Sequence, residues 1–361
     1  MPAARSIAAL VLLLLAGSAL AAEPDSSCYF YHGRDYGSEA NIHPLQCILN
    51  SSFGIMQIAN RSNVLADVDY ANGYHVLMDN LAHPIRAIEA EGWGNFARKE
   101  LLPFSTGLSD ARYWPNYTQH LIGGGMTYRM MREWYRLHGF RRERAWAAGT
   151  IFFYHYCNEI VECAWLEGTT TDPIADLYIF DPLSCLLFES DRVSRFFGQT
   201  LNMMDWSYQP AYDLGRGTLE NNGQNFAFRW APSSWERWSF FYYFGAHGEG
   251  GLSYRRADGL NVSVGMGFKT NELLDLGPGT LGANLAFTGG VFLDREGSLM
   301  ASLLVAATKD YAVRLNLYPG MVKVGPLSPS FFMAVDRDER VVAGLNIGWP
   351  RWQPMGLAAS F

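Results

Sequence analysis

Charged residues are scarce in this sequence, and neither sign strongly dominates. Lysine, arginine, aspartate and glutamate make up 17% of the 361 residues, and the formal net charge is −7. A nucleic-acid-binding chain needs a basic patch, so this composition argues against a nucleic-acid partner. After the first residues there is also no uninterrupted run of about twenty apolar residues, which argues against a transmembrane helix. The chain lacks a GxSxG elbow, a Walker loop and a CxxC pair.

The chain begins with the features of a signal peptide. Arg5 precedes an apolar run from Ile7 to Ala16, and the small residues "ALA" at 19–21 match a cleavage site. The apolar run is too short for a permanent membrane anchor. We therefore predict a signal peptide over residues 1–22 and an exported mature chain.

Five cysteines in an exported chain leave at least one unpaired. Cys28 and Cys47 are the first candidates for a disulfide near the mature N-terminus. Cys157 and Cys163 are six residues apart, and in a helix this separates them by about 9 Å, too far for a bridge. Cys185 could pair with either of them.

Residues 23–205 have apolar residues at helical spacing. The glycines at 123–125 predict a break before one helix, and a second helix is predicted over 143–166. Asp172-Pro173 and Asp181-Pro182 each combine an N-capping acid with a proline that suits the first helical turn. We predict two consecutive short helices that meet at a sharp corner.

Residues 206–361 alternate between apolar and polar side chains, which is typical of strands. In "LNVSVGMGF" the residues Leu260, Val262, Val264, Met266 and Phe268 share one face. The segments "FAFRW", "YAVRLNL" and "VVAGLNIGW" repeat the pattern, and Asp258-Gly259 suits a hairpin turn. The fold class predicted is α+β: a helical N-terminal region followed by a small antiparallel β-barrel of about 8–10 strands.

Three features favour an outer-membrane sheet. The polar face is rich in small residues, many strands carry Trp or Tyr near an end, and "PMGLAASF" ends the chain at Phe361, as bacterial outer-membrane proteins do. We therefore predict the outer membrane of a Gram-negative bacterium as the location, with the outer-membrane assembly machinery as a partner of the C-terminal strand. A soluble or peripherally bound sheet domain is the alternative, because alternation alone does not choose between the two.

The stretch "IFFYHYCNEIVECAW" contains the first candidate site. Helical spacing places His155, Asn158, Glu159 and Glu162 on one stripe, where His155 and Glu159 could act as a general base and its orienting acid. The alternative is that the stripe is the one wet face of a mostly buried helix, or a hydrogen-bonded seam.

A second polar face consists of His75, Asp79 and His83 at i, i+4 and i+8. If the two faces met they could bind a metal. Neither has the closely spaced second histidine of an HExxH site, so we predict no metal and no other cofactor.

Arg129, Arg132 and Arg136 form a basic stripe that could bind lipid phosphates. A solvated helix face, with Glu133 pairing to Arg129 and Arg136, is the alternative interpretation.

Three short motifs resemble those of an uncharacterised family of bacterial envelope proteins: "DNLAHP" at 79–84, "NEIVE" at 158–162 and "DPIADLYIFDP" at 172–182. The resemblance covers roughly residues 70–350. It implies an envelope location and no established activity.

Together these features favour a structural or lipid-handling protein of the outer membrane, with membrane lipids as its partners. The alternative is a membrane-embedded envelope enzyme, a lipid hydrolase or transferase, that uses His155 and Glu159 on the 143–166 helix.

Overall fold

The structure is a computed structural model that describes residues 28–58, 61–102, 112–166, 168–275, 281–308, 311–325, 327–346 and 355–361. The predicted signal peptide lies outside these residues. Helices occupy the described chain up to Thr200, and strands begin at Met204. The α+β class is therefore confirmed.

Ten α-helices are present in the described part of the helical region: α1 Pro44–Ser52, α2 Tyr70–Ala82, α3 Pro84–Glu91, α4 Trp93–Phe96, α5 Tyr113–Pro115, α6 Gly124–Leu137, α7 Glu143–Cys163, α8 Asp172–Ala175, α9 Asp181–Glu189 and α10 Asp191–Arg195. Short 3₁₀ turns occupy Ser38–Asn41, Gly54–Gln57 and Leu65–Asp67. Four π-helical segments join or extend the helices: Ala97–Leu101, Asn116–Gly123, Asp176–Phe180 and Phe196–Thr200.

Helix α7 is the centre of this region and packs against α1, α2 and α6. Its residues Ile151 and Tyr154 are fully buried. Helix α2 approaches α7 through Gly73, where an added Cβ would lie 2.0 Å from the carbonyl oxygen of Ile160. A side chain at that position would force the two helices apart.

The glycines at 123–125 do not break the helix as predicted. Gly123 and Gly124 have helical backbone angles, and α6 continues directly from the preceding π segment. A Cβ on Gly125 would lie 2.2 Å from the Phe188 ring, and one on Gly123 would lie 2.5 Å from the Phe226 ring. The glycines therefore serve close packing, because only a residue without a side chain fits beneath these rings.

The predicted sharp corner at Asp181-Pro182 is also wrong. Asp181 has helical angles (φ −65°, ψ −49°), so one helical path runs through α8, the 176–180 π segment and α9. Neither Asp172 nor Asp181 caps a helix through its side chain. A π-helical turn is wider than an α-helical one, which gives the Pro182 ring room against the preceding turn.

Thirteen strands form one sheet: β1 Met204–Asp205, β2 Ala211–Asp213, β3 Thr218–Glu220, β4 Phe226–Trp230, β5 Trp238–Phe244, β6 His247–Arg255, β7 Leu260–Asp275, β8 Leu281–Arg295, β9 Ser298–Ala306, β10 Val313–Leu317, β11 Ser330–Val335, β12 Val341–Asn346 and β13 Gly356–Ser360. Their order is β1-β4-β5-β6-β7-β8-β9-β10-β11-β12-β13-β2-β3. Consecutive strands from β4 to β13 pair antiparallel, whereas β13 pairs with β2 in parallel, in the register Gly356 to Ala211.

The predicted antiparallel barrel of about 8–10 strands needs correction. Across the described residues the sheet has 13 strands, is mixed, and is not closed into a barrel by its strand pairing. The difference arises at Met204–Glu220, where three short strands replace what a regular alternation would have made into long strands. Such local pairing depends on contacts with the helical region, which a period of two does not encode.

The sheet has an apolar outer face and a largely polar inner face. Val264, Met266 and Phe268 of β7 are 50%, 63% and 58% exposed, whereas the preceding Ser263, on the other face, is fully buried. We define the outer face by its exposed apolar residues on seven strands: Trp238, Phe240, Leu252, Val264, Met266, Phe268, Leu285, Phe287, Val291, Leu303, Val305, Leu345 and Leu357. The predicted alternation is therefore present, with the apolar side chains pointing outward.

The inner face contains polar residues and one aromatic cluster. Trp206 is fully buried and stacks on Phe292, beside Phe241 and Tyr243. The helical region and the sheet also share a core, because Phe226 and Phe244 of the sheet pack with Phe188 and Met126 of the helices. Among the described helices, none combines the length and apolar character needed to cross a bilayer.

Candidate functional site

His155, near the middle of α7, lies in a cluster with His120 and Asp181. The His155 Nδ1 atom is 2.6 Å from Asp181 Oδ2, and the His120 Nδ1 atom is 3.6 Å from Asp181 Oδ1. The two imidazole rings have their centroids 4.6 Å apart. On its other side, His120 Nε2 is 3.2 Å from Asp176 Oδ2. We call these four residues the histidine–aspartate centre.

Two of the three elements that build this centre contain π-helical turns. His120 lies in the 116–123 segment, and Asp176 opens the 176–180 segment that leads directly to Asp181. An i→i+5 turn rotates the following side chains relative to a regular helix, and such turns occur frequently at functional sites. Here the rotation directs Asp181 toward His155 instead of toward a helix terminus.

Burial and mutual charge set the protonation of the centre. Burial by itself lowers the pKa of His120, but the neighbouring Asp181 carboxylate outweighs burial and raises that pKa. For His155 burial dominates and lowers the pKa, although Asp181 opposes the effect. The pKa of Asp181 is lowered, because the two histidines more than offset the effect of burial. The environments thus separate two histidines of the same intrinsic basicity.

Further carboxyl groups surround the centre, and burial raises their pKa values. Burial, followed by the charge of Glu162, raises the pKa of Glu159 well above its usual value. Burial and the charge of Asp172 raise the pKa of Glu162 to about 7 and that of Asp176 well above its usual value. Buried acids of this kind, collected beside a cavity, are characteristic of functional sites.

A cavity of ≈ 580 Å³ lies between the helical region and the sheet. His120, His155, Asn158 and Glu162 line its polar wall, together with Asp176. Its opposite wall is largely apolar and contains Ile55, Ile58, Tyr242, Phe244, Phe268 and Leu285. The cavity is therefore amphipathic, and the histidine–aspartate centre faces it.

The inner face of the sheet contributes a second polar group to the same cavity. His247 Nδ1 is 3.1 Å from Glu249 Oε1, and Thr288 donates to that oxygen over 3.0 Å. Burial lowers the pKa of His247, although Glu249 opposes this. Lys269 and Arg314 are also nearly buried, and both lie over the Tyr311 ring.

The structure brings together only part of the predicted stripe on α7. The carboxylate in contact with His155 is Asp181, and not Glu159 as predicted. Asn158 donates to Glu162 over 2.8 Å, and Glu159 is almost fully buried. The stripe is thus a buried seam rather than a wet face, because the 116–123 segment and α8–α9 cover it.

The second polar face does not meet the first. His75, Asp79 and His83 are all exposed on α2 and its C-terminus. Asp79 instead pairs locally with His83 and Arg86. The opposite face of α2, with Gly73 and Leu77, is the one that packs on α7.

Within the basic stripe of α6, Arg129 is buried, whereas Arg132 and Arg136 are half-buried. Arg129 contacts Glu133 and Asp191, and Arg132 contacts Glu189. Arg136 Nη2 lies 3.2 Å from Cys28 Sγ. The Glu133–Arg129 pair was predicted correctly, but the solvated face was not, since Arg129 is 4% exposed.

Glu133 explains this burial. Its carboxylate accepts hydrogen bonds from the backbone N–H groups of Tyr29, Phe30 and Tyr31. It thereby ties the N-terminal segment to α6, and Arg129 neutralises its charge.

The predicted Cys28–Cys47 disulfide is absent, and none of the five cysteines forms a disulfide. Cys28 lies beside Arg136, whereas Cys47 on α1 packs against the core that contains Met130 and Tyr154. The hydrogen bonds to Glu133 hold the N-terminal segment in place without a covalent link.

Sequence reasoning missed His120 as a site residue and assigned Asp181 to a helix cap. No local signal identifies either, because their partner His155 lies on a separate helix. His247 and Glu249 did carry a signal: they occupy alternate positions on the polar face of β6, where small residues were expected.

Comparison with models of known protein families, with curated proteins and with solved structures finds no match. The resemblance of the three short motifs to envelope proteins therefore rests on the sequence alone. Function has to be argued from the site itself.

Proposed function

We propose that this protein is an enzyme of the bacterial outer membrane that hydrolyses an ester bond in a lipid-like substrate at the histidine–aspartate centre. This is the second of the two functions considered from the sequence. The observation that carries it is the position of Phe268 and Leu285, which line the cavity and also belong to the outer face. A molecule with an apolar tail on the outer face could thus place its polar end beside His155.

The outer face supports contact with lipid. Contiguous exposed apolar patches larger than a few hundred Å² are rare on monomeric soluble proteins, and this face extends over seven strands. In a lipid environment the same arrangement, apolar outside and polar inside, is the favourable one.

The edges of the sheet also support this proposal. Strands β1 and β2 lie on one arm of a hairpin whose other arm contains β3 and β4. Between them, the N–H groups of Trp206 and Tyr208 donate to the carbonyl oxygens of Asn225 and Gly223. These hydrogen bonds give partners to backbone groups beside β1 and β3, the first and last strands in the order of the sheet. In hydrocarbon surroundings every backbone polar group needs such a partner.

The chemistry follows from the separated protonation of the two histidines. His155, whose pKa is lowered, is neutral near pH 7 and can accept a proton from water, while Asp181 orients the ring. The water oxygen then forms a bond to the ester carbonyl carbon, the carbon–oxygen bond to the alcohol breaks, and the proton passes from His155 to the leaving alcohol. His120, whose pKa is raised, supplies positive charge for the oxyanion.

The test is hydrolysis of p-nitrophenyl esters of increasing acyl length by the detergent-purified full chain. We expect kcat/KM to rise with acyl length, and His155→Gln to lower it about 10²–10⁴-fold, the usual contribution of a general base. His83→Gln is the matched control, because His83 is exposed on the surface. A folded His155→Gln variant with full activity would refute the proposed role of this centre.

A second candidate is binding of an anionic lipid without chemistry. Lys269 and Arg314 line the cavity and are only 4% and 5% exposed, so they could hold a phosphate or carboxylate headgroup. Saturable binding of a fluorescent anionic lipid, with no cleavage product by mass spectrometry, would favour this candidate.

A further inference from the structure

We propose that His120, His155 and Asp181 bind one divalent metal ion of the zinc type. The three side chains come from the 116–123 π segment, α7 and α9, and their ligand atoms all lie within 4.8 Å of one another. Two imidazole nitrogens and one carboxylate oxygen form a common donor set for catalytic zinc and for non-haem iron. Ligand atoms about 2.0–2.2 Å from such an ion are roughly 3.3 Å apart, so small side-chain rotations would complete the site.

Buried polar atoms without a hydrogen bond are a second observation, independent of the ligand geometry, that points to a bound ion. Asp181 is fully buried, and both of its carboxylate oxygens lack a hydrogen bond of acceptable geometry, as do the Nδ1 atoms of His120 and His155. The 2.6 Å approach of His155 to Asp181 is therefore close contact without a well-directed hydrogen bond. Burying four polar atoms without hydrogen bonds lowers the stability of the folded state. A cation bound among them would give each atom a partner.

Asp176 has the position of a residue that orients a metal-binding histidine. Its Oδ2 atom is 3.2 Å from Nε2 of His120, on the side of the ring opposite to Nδ1. An imidazole that donates one N–H to a carboxylate directs its other nitrogen to the metal, and such carboxylates strengthen metal binding. Asp176 is thus a positioning residue and not a ligand in this proposal.

Three protein ligands leave a coordination position open. His120 and His155 both line the cavity, so the open position faces the space where a substrate would enter. This is the arrangement of a catalytic site, whereas structural zinc sites usually have four protein ligands. The sequence led us to expect no metal, because neither polar face, on α2 or on α7, has the closely spaced second histidine of an HExxH site.

The catalytic role of this ion rests on the function proposed above, but its binding does not. A metal-bound water would take the place of water activated by His155. Metal content and ester hydrolysis are therefore measured separately, so that either proposal can fail alone.

The experiment uses the full chain, purified in detergent, stripped with EDTA and then dialysed against Zn²⁺ or Co²⁺. We expect one metal per chain by mass spectrometry, together with visible absorption bands of Co²⁺ that report low coordination. His120→Gln and Asp181→Asn should abolish stoichiometric binding, and Asp176→Asn should weaken it about 10–100-fold. His75→Gln and His83→Gln are matched controls and should retain one metal.

Absence of stoichiometric metal after reconstitution would overturn the proposal, and so would equal metal loss in the control variants. If Asp181→Asn does not fold, the Co²⁺ spectrum of the unmodified chain decides, because a Co²⁺ site of low coordination number gives intense visible bands, whereas hydrated Co²⁺ absorbs weakly. Full esterase activity in verified metal-free protein would overturn a catalytic metal while supporting the His155 base. One bound metal without esterase activity would support the metal site and count against the hydrolase.

Discussion

The helical region and the sheet have opposite polarity. The helical region buries apolar side chains such as Ile151 and Phe188, and exposes charged side chains such as Asp79 and Glu89. The sheet buries Ser263, Thr288 and Asn316 and exposes apolar residues such as Met266 on its outer face. One chain therefore combines a region with an apolar interior and a sheet with an apolar outer face.

This difference shows that a hydrophobic pattern identifies an apolar face without showing whether that face points inward or outward. A period of two or of 3.6 identifies an element and the face on which apolar residues lie, but that face turns toward whichever surroundings are apolar. In the helical region these surroundings are other helices. In the described chain, other apolar residues cover the outer side of the sheet only around Phe226 and Phe244, where the helices pack.

The largest expected effect comes from removing a large ring in each region. Phe188→Ala removes a fully buried ring and should lower the free energy of unfolding by about 3–5 kcal/mol. Phe287→Ala on the outer face should cost only about 0.5–1.5 kcal/mol, the value of its edge-to-face contact with Phe268. Denaturant unfolding followed by tryptophan fluorescence measures both. Equal costs would mean that the outer face is covered by protein in solution.

A charge placed on each surface distinguishes water from lipid. Met266→Arg should destabilise the protein in phospholipid vesicles by about 2–4 kcal/mol if that face contacts hydrocarbon. Leu137→Arg, at an exposed position of α6, should change stability by no more than about 0.5 kcal/mol. Reversible unfolding from vesicles gives both values. A neutral Met266→Arg would remove the support that the outer face gives to the membrane proposal.

A pH titration should change the free energy of unfolding gradually, over several pH units, through the buried acid Glu100 of the helical region. Burial, followed by the charge of Asp172, raises the pKa of Glu100 to about 8 from an ordinary 4.5. The folded state therefore holds this proton more tightly, so the stabilisation is complete below pH 4.5 and is lost as the pH rises toward 8. One such group contributes a slope of roughly 1 kcal/mol per pH unit in this window.

Glu100→Gln should flatten this part of the stability profile, because glutamine does not titrate. The exposed Glu89→Gln is the control and should leave the slope unchanged. The free energy of unfolding, measured at intervals from pH 4.5 to 8, is the readout. An unchanged slope in Glu100→Gln would assign the pH dependence to other buried acids.

The sequence predicted much of the fold and less of the site. The period of two located β4, β7, β10 and β12, and helical spacing located α6 and α7, because these patterns reflect local geometry. The corner at Asp181 was predicted wrongly, since a proline signal does not show whether a π turn will absorb the proline. His155 was proposed from the sequence as a site residue with Glu159 as its partner, whereas the carboxylate that the structure places beside it is Asp181, which is contributed by another helix.

By itself the sequence determined the α+β class, the alternation that gives the sheet one apolar face, and the run of polar groups on α7. Those properties depend on backbone periodicity and side-chain polarity, which are local. Only the tertiary structure decided that His120, His155 and Asp181 meet, that Arg129 is buried against Glu133, and that Phe268 and Leu285 join the outer face to the cavity. These features depend on how distant segments pack, and packing is set by the whole set of contacts that bury the core, such as Gly73 against α7 and Gly125 beneath Phe188.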